Sequence, residues 1–133
     1  MQAEDSGGAG SGIVDILLVE DEAILSMVAC DVLGEVGDRV RDFASAEEAI
    51  AALDGGYRPH LAIIDHGLPH MPGSDFAGLL RQRLPETVIL IASGNVDSLD
   101  FHFPVLPKPY RDAELVERVA ALLPELRPPS KPD

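Results

Sequence analysis

The chain has 133 residues, 46% of them hydrophobic and 25% charged, which is enough for one soluble globular domain around one core. With 23 acidic against 10 basic residues its formal charge is −13, which disfavours nucleic acid and anionic membranes and favours small cations or basic proteins as partners. The single cysteine, Cys30, excludes an internal disulfide and fits a reducing, cytoplasmic compartment, and no apolar run approaches the ~18 residues of a membrane span.

Residues 1–12, MQAEDSGGAGSG, are acidic and glycine-rich, without the regions of a signal peptide, and read as a disordered leader. IVDILLV (13–19) is short and mostly β-branched or aliphatic, the mark of a strand buried on both faces. From Ala23 to Val36, Ile24, Val28 and Val32, flanked by Leu25, Ala29 and Leu33, form one helical stripe, with Gly37 placed to stop it and Cys30 expected as a small buried residue. RVRDFA (39–44) is a more polar strand, suited to an edge. Ser45-Ala46-Glu47-Glu48 matches a capping box, and the helix it opens ends at Asp54-Gly55-Gly56. HLAIID (60–65) is the third strand. Phe76, Leu79, Leu80 and Leu84 mark a third helix closed by Pro85, and TVILIAS (87–93) is the fourth strand. Residues 94–103 are weakly patterned. PVLPKPY (104–110) holds at most a very short strand. Leu115, Val116, Val119, Leu122 and Leu123 face one side of a last helix, which Pro124 is expected to end before a Pro-rich tail at 124–133.

Strands alternating with amphipathic helices imply a parallel sheet covered on both faces, with ligands bound beyond the carboxyl ends of the strands. That edge collects Glu20 and Asp21 after the first strand, Asp65 at the end of the third, Ser93 at the end of the fourth and Lys108 after the fifth. Asp65 stands where an apolar run breaks into the loop GLPHMPG, as a turn cap, a metal ligand or a nucleophile. Each pair of like charges at ~4 Å costs about 4 kcal/mol at an effective dielectric near 20. A divalent cation relieves that cost, and carboxylate and carbonyl oxygens suit Mg²⁺. Lys108 adds a point charge and Ser93 a hydroxyl, both suited to a phosphoryl group, which a carboxylate can accept as an acyl phosphate.

VEDE (19–22), IIDHGLPHMPG (63–73), ILIASG (89–94) and LPKPY (106–110) together resemble the receiver domain of two-component response regulators, over about residues 13–123. The resemblance implies a five-stranded, doubly wound, flavodoxin-like α/β fold with strand order 2-1-3-4-5. It makes Asp65 the phosphoacceptor from a histidine kinase or histidine phosphotransfer protein, and Glu20 and Asp21 the acidic metal pair. Asp21, Asp65 and the Gly67 carbonyl would hold Mg²⁺, with Glu20 acting largely through water. Ser93 takes the place of the switch hydroxyl and Lys108 that of the phosphate-binding lysine, with a cis Lys108–Pro109 bond. The protein itself would not be an enzyme beyond its own phosphorylation and dephosphorylation. A bacterial, cytoplasmic protein acting on a downstream protein partner is implied, with homodimerisation open.

Two features depart from the pattern. Ser93 and Lys108 are 15 residues apart, about two helical turns short of the usual spacing, so the fourth helix is expected to be short or absent. The switch aromatic, three residues before the lysine, is here Val105, with Tyr110, Phe101 and Phe103 as nearby substitutes. The short segment and the PVLPKPY ending are similar to single-domain receivers common in alphaproteobacteria, whose phenylalanine-alanine-threonine-glycine motif survives loosely as IASG. Two other readings stay open. A degenerate receiver would bind partners without phosphorylation. A small Mg²⁺-dependent phosphohydrolase of the haloacid dehalogenase type would need a second acid where Gly67 stands. His66 and His70 have the spacing of a helical zinc site but lie in a Gly/Pro loop, where that spacing defines no face.

Overall fold

A computed structural model describes residues 13–94 and 103–126. The elements run β1 (Asp15–Val19), α1 (Ala23–Leu33), β2 (Arg39–Phe43), α2 (Ala46–Asp54), β3 (Leu61–Asp65), α3 (Gly73–Arg83), β4 (Val88–Ser93), β5 (Val105–Pro107) and α4 (Asp112–Leu126). All five strands are parallel, in the order β2-β1-β3-β4-β5. The polar strand β2 is indeed an edge.

Alternation along β1 explains the layers. Ile16 and Leu18 point to one face, where they meet Ala29 and Leu33 of α1 and Leu115 and Val119 of α4. Leu17 and Val19 point to the other, against Ala49 and Leu53 of α2 and Phe76 and Leu80 of α3. Each such Leu, Ile or Phe contributes about 1.5–3 kcal/mol on burial, so both faces of the central strands must be apolar.

Ser45 caps α2, accepting the Glu48 N–H at 3.2 Å. Four expectations need correction. α1 ends at Leu33 rather than Val36; the Gly37 N–H closes the turn onto the Leu33 carbonyl at 2.8 Å. Its buried face is Ser26, Ala29, Val32 and Leu33, while Ile24 is 71% exposed and Leu25 and Val28 are also exposed. The stripe is rotated because the Ser26 hydroxyl donates to Asp42 at 2.9 Å and so tolerates burial; Cys30, at the margin, is only half-buried. Lastly, α4 passes through Pro124 to Leu126. In the final turn a proline forfeits one backbone hydrogen bond and has little helix left to break. The doubtful helix between β4 and β5 falls on residues 95–102, outside the described residues, as do Phe101 and the outer parts of both termini.

Candidate functional site

Register brings the site together. β1 stops at Val19, and the Glu20 N–H continues the ladder to the Phe43 carbonyl at 3.0 Å. Asp65 is the last residue of β3, opposite Ala92, and the next N–H, of His66, donates to the Ala92 carbonyl at 2.9 Å. Ser93 follows Ala92 and lies opposite Pro107; its carbonyl accepts the Lys108 N–H at 2.8 Å. The Lys108–Pro109 bond is cis.

The side chains converge as the strand ends require. Glu20, Asp65 and Ser93 are buried, Asp21 is exposed and Lys108 is half-buried. The Lys108 ammonium lies 3.3 Å from Asp65 Oδ1 and 3.6 Å from Glu20 Oε1. Asp65 Oδ1 also accepts the Gly67 N–H at 3.3 Å, and Glu20 Oε2 accepts the Glu22 N–H at 3.1 Å. Burial pushes the Glu20 carboxyl above its ordinary range; the Glu22 N–H pulls it back, and the Asp65 charge pushes it up again. For Lys108 burial works against the ammonium, yet Asp65 and Glu20 outweigh it and hold its pKa above the usual lysine value.

Among the described residues, one carboxylate oxygen from each of Glu20, Asp21 and Asp65 lies within 4.8 Å of the others. Glu20, Asp21 and Asp65 would thus be close enough for a small oxygen-seeking cation such as Mg²⁺ to draw them together and offset their mutual repulsion. Three carboxylates against one ammonium leave two uncompensated negative charges, and all the donors are hard oxygens. An open cavity of about 390 Å³ is lined by Glu20 and Asp21 together with Ser26 and Asp42.

A family model, described as the response regulator receiver domain, matches residues 16–120. The chain belongs to the response regulator receiver domain family. It is 39% identical over 119 residues to the two-component response regulator PhoP of Pseudomonas aeruginosa, covering 81% of this chain and 51% of PhoP. The chain spans about half the length of the curated relatives it matches. A crystal structure of a response regulator receiver protein from Sinorhizobium medicae is 28% identical, with a TM-score of 0.73 over 85% of this chain and 96% of that one. The fold is shared with a CheY-like receiver domain from Methanospirillum hungatei, at 21% identity and a TM-score of 0.74 over 86% of this chain and 97% of that one.

In this receiver domain the five residues singled out from the sequence all reach the same edge. Val105 lies in β5 opposite Ile91, half-buried and aliphatic. His70 adopts a left-handed conformation, φ 70°, in the loop after Asp65. Sequence reasoning missed Gly73. Its N–H donates to the His66 carbonyl at 3.0 Å, and a Cβ there would overlap the Asp65 carbonyl oxygen. The start of α3 thus presses on the backbone of Asp65. The available signal was a glycine in the first turn of a helix, directly after Pro72, where a residue with a side chain is the better helix former.

Proposed function

We propose that this receiver domain accepts a phosphoryl group on Asp65 from the phosphohistidine of a histidine kinase or phosphotransfer protein, with Mg²⁺ as cofactor. The observation that carries this reading is the Lys108 ammonium 3.3 Å from Asp65 Oδ1, inside a group of three converging carboxylates. Glu20, Asp21 and Asp65, with the Gly67 carbonyl, would hold the ion, which supplies positive charge to the phosphoryl oxygens. An Asp65 oxygen forms the new P–O bond as the donor P–N bond breaks. The imidazole nitrogen leaves with the electron pair and takes a proton from water. Lys108 then meets one phosphoryl oxygen and the Ser93 hydroxyl donates to another.

Lys108 now divides its charge between Asp65 and Glu20, so a phosphoryl group redistributes those contacts. That shift biases the surface of β5 and α4, which binds or releases a downstream protein partner. We read this receiver as a cytoplasmic regulator of protein contacts, phosphate shuttle or sink, and not as an enzyme acting on other molecules. Homodimerisation through β5 and α4 is compatible with that role. Among the described residues no helix is long and apolar enough to cross a membrane.

Val105, lacking a ring, favours a second reading: a receiver that binds partners without being phosphorylated. Incubation with acetyl phosphate and Mg²⁺, followed by intact-mass measurement, separates the two. The first reading expects one added phosphoryl group on the wild type and none on Asp65→Asn. An unlabelled wild type, together with no Mg²⁺-dependent response to beryllofluoride, favours the second.

A further inference from the structure

Two described aromatic rings flank β5, and they lie on opposite sides of the sheet. Phe103, before the strand, packs with the α2/α3 core, the Arg81 guanidinium 4.9 Å above its ring. Tyr110, after it, packs with the α1/α4 core, two residues from Lys108. Lys108, Pro109 and Tyr110 form one wall of a cavity of about 170 Å³, faced by Leu25 and Val28 of α1 and Leu115 of α4. Lys108 therefore has two environments. Its ammonium meets Asp65 and Glu20, while the residue also lines, together with Tyr110, the cavity against α1 and α4. Burial pushes the Tyr110 phenol above its ordinary range, and the charges of Glu20, Lys108 and Asp65 all reach it, which places the ring within the field of the site.

A lysine stem has many rotamers and few of them hold the ammonium over one carboxylate. We propose that Tyr110 is a positioning residue: its ring, seated against the α1/α4 core, braces the Lys108 stem so that the ammonium stays at Asp65. Phe103 cannot serve in this way, because it is held by Arg81 on the other face. The inference deepens the phosphoryl-acceptor reading and rests on it.

The test is the initial rate of phosphorylation of the full chain against acetyl phosphate concentration, at saturating Mg²⁺. Tyr110→Ala is expected to raise the half-saturating acetyl phosphate about 10-fold while Mg²⁺ affinity stays within about twofold of wild type. Tyr110→Phe, which keeps the ring, restores the wild-type value. In a Lys108→Ala background, Tyr110→Ala should change the rate less than about twofold, since the group it positions is gone. If Tyr110→Ala does not fold, Tyr110→Leu keeps the core filled and should shift half-saturation in the same direction. Equal effects in both backgrounds, or an unchanged half-saturation, overturn the positioning role while leaving the acceptor reading intact. A wild type that acetyl phosphate does not label brings down both.

Discussion

At the amino end of the sheet, Asp15 is gripped by Arg39 through two bonds of 2.7 and 3.0 Å. Asp38 accepts the Val14 N–H at 2.7 Å, and His60 Nδ1 accepts the Asp15 N–H at 3.0 Å. The buried Thr87 hydroxyl donates to the Pro59 carbonyl at 2.8 Å. At the carboxyl end, Glu20, Asp21 and Asp65 face one another, and one ammonium serves both Glu20 and Asp65. The same residue types thus play two parts. Acids whose charge is matched within the fold seal the ends of strands. Acids crowded beyond what the fold can match leave an excess of negative charge that a bound cation would relieve. The matched end adds stability, and the crowded end gives some of it up.

The largest break in this contrast is expected from Gly73→Ala. Its methyl group meets the Asp65 backbone, which cannot swing away as a side chain would. We expect a loss of about 2–3 kcal/mol in thermal or urea unfolding, with slowed labelling of Asp65 by acetyl phosphate. A melting curve like that of the wild type would show that α3 can move off the site freely. Next in size is the metal itself. At a hundredfold excess over its dissociation constant, Mg²⁺ should stabilise the protein by about 2.7 kcal/mol, reversibly with chelator. Asp21→Asn and Asp65→Asn should blunt the response, whereas Asp15→Asn should keep it.

A smaller effect, of about 1 kcal/mol, is expected from Glu20→Gln without metal. Because the Glu20 pKa is raised in the folded protein, its native form binds a proton more tightly than the unfolded chain does. That contribution is present below the ordinary glutamate value of 4.5 and is lost as pH rises through the raised value. Glutamine does not titrate, so the variant should gain on the wild type as pH increases from 4 to 7, read from melting temperatures. The same raised pKa makes protons compete with Mg²⁺, so wild-type affinity should fall as pH drops through that raised value. The smallest effect belongs to Asp15→Asn at the matched end. Its partner Arg39 is exposed, so the melting temperature should drop only slightly and labelling of Asp65 should not change.

Much of the site was legible because its residues sit at strand ends, and strand ends are among the clearest signals in this chain. The apolar runs 13–19, 60–65 and 87–93 stop where β1, β3 and β4 stop, and the acids and the serine stand at those stops. The cis Lys108–Pro109 bond and the edge position of β2 also match the reading of the sequence. The phase of α1 was not legible. Ile24 and Val28 have the right spacing for a buried stripe, yet a serine faces the core because Asp42, on another strand, accepts its hydrogen bond. Nor was the role of Gly73, since the oxygen it makes room for lies eight residues back, across a loop.

Local pattern alone determined which segments are strands or helices and which polar residues follow them, because side-chain period and chain breakers are properties of neighbouring residues. It also determined the excess of acid. The tertiary structure decided who shares whom: that Lys108 stands between Asp65 and Glu20, that α3 rests on the Asp65 backbone, and that Tyr110 and Phe103 part to opposite faces. Those are distances between residues remote in the chain, set by strand register and helix packing, and no local pattern encodes them.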